Sequence, residues 1–253
     1  MPSGTVIVSA GYQGIGRAIA NRFVDGGFRV FACDIAAPAG SDLRDSELFV
    51  PVHLDASDPE AVIRFVSSLS DRNEQIDVLV NNVGISGPTR PIEEIAVEDW
   101  RAVLDTNLSS AFYFIKAVLP AMKARRSGAI INIATSSAKT GMTNRTPYVA
   151  SKGGLIALSH NVAREAGPFG VRSNVISPGA IENERGRLIL DRIAGERGVT
   201  VEEARAEMLS HISMRTTISP DEVADMAFFL ASPSARHVSG QNIGVCGNVE
   251  WEA

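Results

Sequence analysis

Residues 5–34 read TVIVSAGYQGIGRAIANRFVDGGFRVFACD. Thr5 to Ala10 is a nearly continuous apolar run, as expected of a strand covered on both faces. Glycines at 11, 14 and 16 follow, and a helical pattern opens at Arg17-Ala18-Ile19. A second apolar run, residues 29–34, completes a strand–helix–strand unit. Glycines between a first strand and a first helix let the main chain approach a pyrophosphate, and the helix start offers it free N–H groups and a positive dipole end. The segment therefore predicts a dinucleotide cradle at Gly11, Gln13, Gly14, Ile15 and Gly16. Asp34 closes the second run, where a carboxylate accepts hydrogen bonds from the adenosine ribose hydroxyls and repels a 2′-phosphate. Neither Ile35 nor Gln13 supplies a cation for that phosphate, so the expected cofactor is NAD(H) rather than NADP(H).

The pattern continues along the chain. Further strand-like runs occupy 48–54, 76–82, 129–134, 172–177 and 242–246, separated by helical stretches near 14–26, 58–72, 97–125 (read as two), 147–167, 184–211 (broken) and 220–231. Repeated alternation of this kind predicts an α/β fold, a doubly wound parallel sheet with helices on both faces. No repeat, low-complexity tract or linker divides residues 1–253, so one domain is expected. Several helix starts are signed: Asp58-Pro59, the capping box Thr200-Val201-Glu202-Glu203, and Ser219-Pro220-Asp221-Glu222. Gly195 and Gly198 are expected to separate two helices.

The net charge of -5 argues against a nucleic-acid or anionic-membrane surface. The basic cluster Lys123, Arg125 and Arg126 falls where a helix should end and complements its dipole. Cys33 and Cys246 lie in apolar segments without metal-ligand spacing, as free thiols of a reducing compartment would. No apolar run reaches 18 residues and no leader pattern precedes the first strand, so the expected location is cytoplasmic. The four histidines, at 53, 160, 211 and 237, form no visible cluster.

Proton chemistry is suggested by TPYVASKGG, residues 146–154. A phenol ordinarily titrates near ~10. A fixed ammonium nearby favours its ionised form. Tyr148 and Lys152, four residues apart, share one helix face one turn apart. Thr146 suits the N-cap of that helix and Pro147 its first position.

Taken in order, the glycine loop 9–16, Asp34, Asp55, Asn81-Asn82-Val83-Gly84, Asn107, the hydroxyl run 135–137, Tyr148-x-x-x-Lys152 and Pro178-Gly179 make the chain resemble a classical short-chain dehydrogenase/reductase over essentially its whole length. The resemblance implies a seven-stranded doubly wound sheet and an NAD(P)-linked oxidoreductase acting on a secondary alcohol or ketone, working as a homodimer or homotetramer. It implies that Asp55 bonds the adenine amino group and that Ala56 offers its N–H. Asn82 and Gly84 would flank the adenosine ribose, and Asn81 would tie neighbouring strands. Lys152 would bond the nicotinamide ribose and Tyr148 would exchange the substrate proton. Asn107 would kink its helix and hold a water linking Lys152 to solvent, and Pro178, Gly179 and Ile181 would line the nicotinamide. Asn183 stands where the family often has a threonine. The loop departs from the family by opening Ser9-Ala10 in place of Thr-Gly, and Val83 replaces the usual alanine.

The family's hydroxyl lies 13 residues before the tyrosine, at Thr135, with Ser136 and Ser137 behind it. Strand alternation would point 135 and 137 to one side and 136 to the other. Thr135 and Ser136 both stay candidates, Ser136 favoured because its hydroxyl is unbranched. Substrate choice is expected in the loop 139–145 and in a lid at about 181–214. There Arg145, Arg185 or Arg187 would meet a polar or anionic substrate such as a polyol, sugar or hydroxy acid, unless those charges only pair along a solvated helix face. Two other functions compete: a catalytically silent NAD(H) sensor or scaffold on the same fold, and an NADP(H)-linked oxoacyl-thioester reductase, against which Asp34 and Ile35 argue.

Overall fold

The computed structural model describes residues 3–36, 46–182 and 184–249, except the side chains of 184, 185 and 189. Seven parallel strands form one sheet in the order β3-β2-β1-β4-β5-β6-β7. They are β1 (Thr5–Ser9), β2 (Arg29–Asp34), β3 (Phe49–His53), β4 (Ile76–Asn81), β5 (Gly128–Ile133), β6 (Val171–Pro178) and β7 (Asn242–Val245). The helices are α1 (Gly14–Asp25), α2 (Pro59–Asp71), α3 (Val97–Leu104), α4 (Ser110–Arg125), α5 (Ser137–Thr140), α6 (Thr146–Ala166), α7 (Glu184–Arg197), α8 (Val201–Ser210) and α9 (Pro220–Ala231).

Alternation along the strands builds two cores. Val6 and Val8 of β1 with Val30 and Ala32 of β2 face α1 and α9, meeting Ile19, Phe23, Val223 and Leu230. Ile7 and Phe31 point the other way, against Val62 and Val66 of α2, Phe114 and Val118 of α4 and Val162 of α6. Helices thus cover both faces, and a carboxylate such as Asp34 stands at the sheet's C-terminal edge. The expectation of strands buried on both faces fails at the two edges. β3 alternates after Phe49 and β7 is half exposed along its length, because each has one sheet neighbour. Pro51 fits that setting, since an edge strand loses little by lacking an N–H.

Local signals act as read at several helix starts. The Asp58 carboxylate accepts from the N–H groups of Glu60 and Ala61, and both capping boxes form. Two details differ. Arg145, not Thr146, occupies the cap of α6, with Thr146 as the first helical residue. The Thr146 hydroxyl thus makes no cap, and the helix starts one residue earlier than expected. Gly195 lies inside α7, so the chain breaks only at Gly198, whose φ of +68° is the conformation a glycine permits.

Candidate active site

The strand order reverses beside β1, which has β2 on one side and β4 on the other. Open parallel sheets bind ligands at the C-terminal strand ends around such a reversal. The glycine loop sits there, and its three close-packed or open glycines do different things. A Cβ on Gly11 would lie 2.8 Å from the Ala32 Cβ, so this residue lets the loop rest on β2. One on Gly16 would lie 2.0 Å from the Ala10 carbonyl oxygen and 2.5 Å from Asn82 Nδ2, so it lets α1 start against the loop. A Cβ on Gly14 would meet nothing within 4 Å, at a φ of +52°. Open space beside exposed main chain at the first turn of α1 is the shape a pyrophosphate cradle requires. Gln13 is exposed at the N-cap of α1, and Ile15 lines the neighbouring cleft. Ala10, where the family usually has glycine, takes a φ of +52°. The methyl is accommodated in a left-handed turn rather than by straightening the loop.

Polar side chains fix this loop to β4. Ser9 Oγ accepts from the N–H groups of Asn82 (2.9 Å) and Val83 (3.3 Å). Asn82 Nδ2 donates to the carbonyls of Ser9 and Ala10, both at 3.2 Å. Asn81 Nδ2 donates to Asn132 Oδ1 at 2.8 Å, joining β4 to β5. The Asp34 carboxylate accepts from the Tyr12 N–H at 3.2 Å and the Ala36 N–H at 3.0 Å, which hold it at the end of β2 against the loop. Asp55 is exposed beyond β3 and accepts from the N–H and hydroxyl of Ser57, beside the buried Ala56. The Tyr12 phenol is buried under the loop. Burial first, then the Cys33 and Asp34 charges, raise its pKa. Burial and Asp34 push the Cys33 thiol above its ordinary range.

The second half of the site lies on β5, α4 and α6. Lys152 is 3% exposed, and its Nζ donates to the carbonyl of Ile133 at 2.8 Å and of Val83 at 3.4 Å. Gly84 leaves room for that ammonium, because a Cβ there would lie 3.1 Å from Nζ. Between α3 and α4 the chain makes a π-helical turn, Asp105–Ser109, with Asn107 buried at its centre. Single π turns inside α-helices recur at functional sites. The Asn107 side chain meets the segment that follows β4, where its Oδ1 accepts from the Ile85 N–H at 2.7 Å. Nδ2 donates to the Ile85 carbonyl and to Ser151 Oγ, both at 3.0 Å. Ser151 Oγ in turn donates to the Tyr148 carbonyl at 2.8 Å.

Thr135, Ser136 and Tyr148 line one cleft of about 550 Å³, together with Pro178, Gly179, Ile181 and residues of α7 and α8. The strand alternation expected for residues 135–137 does not apply. The chain has left β5 after Ile133, and Ser136 is in the helical region with its N–H on the Pro178 carbonyl at 3.0 Å. Thr135 Oγ1 accepts from the Ser137 N–H at 3.3 Å. Gly179 packs so tightly on Cys246 that a Cβ would lie 2.8 Å from its Cα. Ile181 pairs with Ile218 beyond the sheet. Helices α7 and α8 are joined by the Arg197–Glu207 ion pair (2.7 Å), while Glu182 faces Arg205 at 3.9 Å and accepts from Thr217 Oγ1 at 3.0 Å. Of the arginines singled out in the sequence, Arg145 and Arg187 line the cleft. The side chain of Arg185 and the whole of Asn183 lie outside the described residues.

Sequence reasoning missed Ser151 and Asn132 and read Ser9 only as the opening of the loop. Each is a small polar residue whose partner is distant in the chain, so local pattern does not reveal its contact.

Known proteins resemble the chain over nearly its whole length. A family model described as enoyl-(acyl carrier protein) reductase matches residues 9–248. The chain is 31% identical over 251 residues to the 3-oxoacyl-(acyl-carrier-protein) reductase FabG of Chlamydia pneumoniae, covering 97% of this chain and 96% of the relative. Among solved structures it is similar to a variant actinorhodin polyketide ketoreductase with NADPH (TM-score 0.87, 31% identity, 98% of each chain). It is also similar to the aldohexose dehydrogenase of Thermoplasma acidophilum in ligand-free form (TM-score 0.85, 30% identity, 97% of this chain and 93% of the other). Fold, motif order and relatives all lead to one assignment: the chain belongs to the classical short-chain dehydrogenase/reductase family.

Proposed function

We propose that the chain is an NAD(H)-dependent oxidoreductase acting on a secondary alcohol or ketone. The observation that carries the cofactor choice is Asp34, held on the N–H groups of Tyr12 and Ala36 beside the glycine loop. Fixed there, its charge opposes a 2′-phosphate and suits a diol. The cradle at Gly14, the Asp34 carboxylate, Asp55 with Ala56, Asn82 and Gly84 would hold the adenosine half. Lys152, Pro178, Gly179 and Ile181 would hold the nicotinamide half. When bound, the nicotinamide supplies or takes the hydride.

The chain's own residues handle the proton and the developing charge. Tyr148 gives its hydroxyl proton to the carbonyl oxygen in reduction and takes it back in oxidation. The buried Lys152 ammonium, one turn along the same helix, stabilises the negative charge that develops on the phenol oxygen. Thr135 steadies the substrate oxygen: its Oγ1 already accepts from Ser137, which leaves its own proton to donate into the cleft. Ser136 is the neighbouring hydroxyl that the same test separates. Asn107 positions the pair through Ser151. The lid 181–214 closes over the substrate within the one domain. A homodimer or homotetramer would cover the exposed Phe112 of α4, which light scattering can test.

A second reading has its own support: an NADP(H)-linked oxoacyl reductase, favoured by the FabG relative and by the actinorhodin ketoreductase with NADPH. Turnover followed at the NADH absorbance band decides between them, using ketones, hydroxy acids, polyols, sugars and an oxoacyl thioester, each with both cofactors. NAD(H) preference that reverses towards NADP(H) in Asp34→Ala supports the first reading; native preference for NADPH overturns it. Loss of turnover in Thr135→Ala but not Ser136→Ala assigns the hydroxyl.

A further inference from the structure

Helices α7 and α8 share a small apolar core, Leu190, Ala194 and Ala204, apart from the two cores that hold other helices on the sheet. That packing, with the Arg197–Glu207 pair, fixes the two helices to one another. Their stance over the cleft depends on the two stems that join them to the sheet, and both stems are held by main-chain bonds. At the first, the Glu182 N–H donates to the Ile218 carbonyl at 2.8 Å and the Ile218 N–H to the Ala180 carbonyl at 2.9 Å. At the second, just after α8, the partner is the C-terminal segment. The Ser213 N–H donates to the Asn248 carbonyl at 2.9 Å and the Met214 N–H to the Gly247 carbonyl at 3.1 Å. Asn248 Nδ2 donates to Ser213 Oγ at 2.9 Å, and Ile212 pairs antiparallel with Val249.

The turn that brings these groups together starts at the floor of the cleft. The Gly179 N–H donates to the Val245 carbonyl at 2.9 Å, and Cys246 rests on Gly179. Gly247 and Asn248 follow with φ of +61° and +60°, two successive left-handed residues that turn the chain towards α8. Glycine and asparagine are the residues that take this conformation most readily. A Cβ on Gly247 would lie 2.9 Å from Cγ2 of Ile212, which is 2% exposed, so the missing side chain lets the turn close on the stem. Val249 then stands beside Ile212, and both line the cleft that holds Tyr148.

We infer that residues 246–249 are a strap that fastens the stem after α8 to the Gly179 floor, and that Val249 sets the width of the substrate cleft at that end. Val249 is then a specificity residue, and Gly247 and Asn248 position it. The strap also explains why a turn with two left-handed residues follows the last strand, where an open chain end would satisfy the same main-chain groups with water. The inference rests on the proposed oxidoreductase and its lid, and adds what holds that lid in place.

Amide hydrogen exchange, followed residue by residue by NMR, reads the fastening without any substrate. The native chain is compared with Gly247→Ala and with a chain ending at Cys246, which loses the turn without adding a clash. In both, the Ser213 and Met214 amides should exchange about 10- to 100-fold faster, the worth of two net hydrogen bonds. Amides of β1 and β4 should keep their native rates, which shows that the sheet is folded. A chain ending at Val249 keeps the turn and should match the native rates at 213 and 214. Unchanged rates in the chain ending at Cys246, or fast exchange in the chain ending at Val249, overturn the strap. Cleft width is read as kcat/KM on the best ketone substrate and its homologues longer by one to four methylenes, with the cofactor the native enzyme prefers. Val249→Ala should shift the preference towards longer homologues and Val249→Phe towards shorter ones, by about 10-fold or more between extremes, with cofactor affinity within twofold. No shift in either variant overturns the role of Val249. Native turnover of no ketone, with exchange that depends on the turn, sinks the oxidoreductase reading and the role of Val249 while the strap stands. Ketone turnover with exchange independent of the turn does the reverse for the strap.

Discussion

Asn107 holds three elements together, and its removal has a cost that the structure lets one work out. The side chain is 1% exposed and makes three hydrogen bonds: two with the main chain of Ile85 and one with Ser151. A net hydrogen bond contributes about 1 kcal/mol, and a buried group left without a partner costs about 1–3 kcal/mol. Asn107→Ala removes all three. Ser151 keeps its bond to the Tyr148 carbonyl, and Ile85 lies partly in solvent, so water can recover some of the loss. The expected destabilisation is about 3 kcal/mol, a large share of the ~5–15 kcal/mol typical of a folded protein. Equilibrium urea unfolding measures it, with an unchanged m-value showing that the unfolded state is the same. Ser151→Ala and the double variant complete a cycle, in which a coupling of about 1 kcal/mol is expected for directly bonded side chains. A loss below about 1 kcal/mol for Asn107→Ala, or strict additivity in the cycle, refutes the idea that the π turn is pinned through this side chain.

Tyr148→Phe should lower kcat by about 10²- to 10⁴-fold, the usual contribution of a proton-transferring group, with NADH affinity within twofold by fluorescence titration. Ala10→Gly should stabilise the chain by up to about 1 kcal/mol, since a left-handed non-glycine residue costs ~1–2 kcal/mol and glycine returns part of that through unfolded-state entropy; a lower thermal midpoint would contradict this. Gly16→Ala should weaken or abolish cofactor binding, because the new methyl would lie 2.0 Å from the Ala10 carbonyl oxygen and the loop must shift. Cys33 predicts an alkaline limit. Its folded pKa is raised by burial, so its contribution is intact below the thiol's unfolded value near ~8.5 and declines as pH climbs above it, by at most ~1.4 kcal/mol per pH unit. Urea unfolding between pH 8 and 10.5 should show that decline in the native chain and a flatter profile in Cys33→Ala.

What the sequence made legible was local. Asp58, Thr200 and Ser219 announced helix starts because a cap and its N–H partners lie within three residues. The glycine loop was legible because its role depends on missing side chains at a strand–helix junction. Features that depend on strand order were not. β3 and β7 read as fully buried strands, and only their place at the sheet edges exposes them. Thr135 and Ser136 read as a strand continuation, whereas the Pro178 carbonyl on β6 captures the Ser136 N–H and turns the chain. Ser151 was invisible beside Lys152, because its partner Asn107 is 44 residues away.

The fold fixes the charged groups of the candidate site with main-chain partners. Asp34 is oriented by the N–H groups of Tyr12 and Ala36. Charge-assisted bonds to N–H groups fix its position while leaving its negative charge in place. On the other side of the cleft Lys152 is oriented by the opposite main-chain groups, its ammonium donating to the carbonyls of Ile133 at 2.8 Å and Val83 at 3.4 Å. An N–H or a carbonyl orients an ion without bringing a full opposite charge to it, so both groups are positioned by the ends of β2, β4 and β5 themselves.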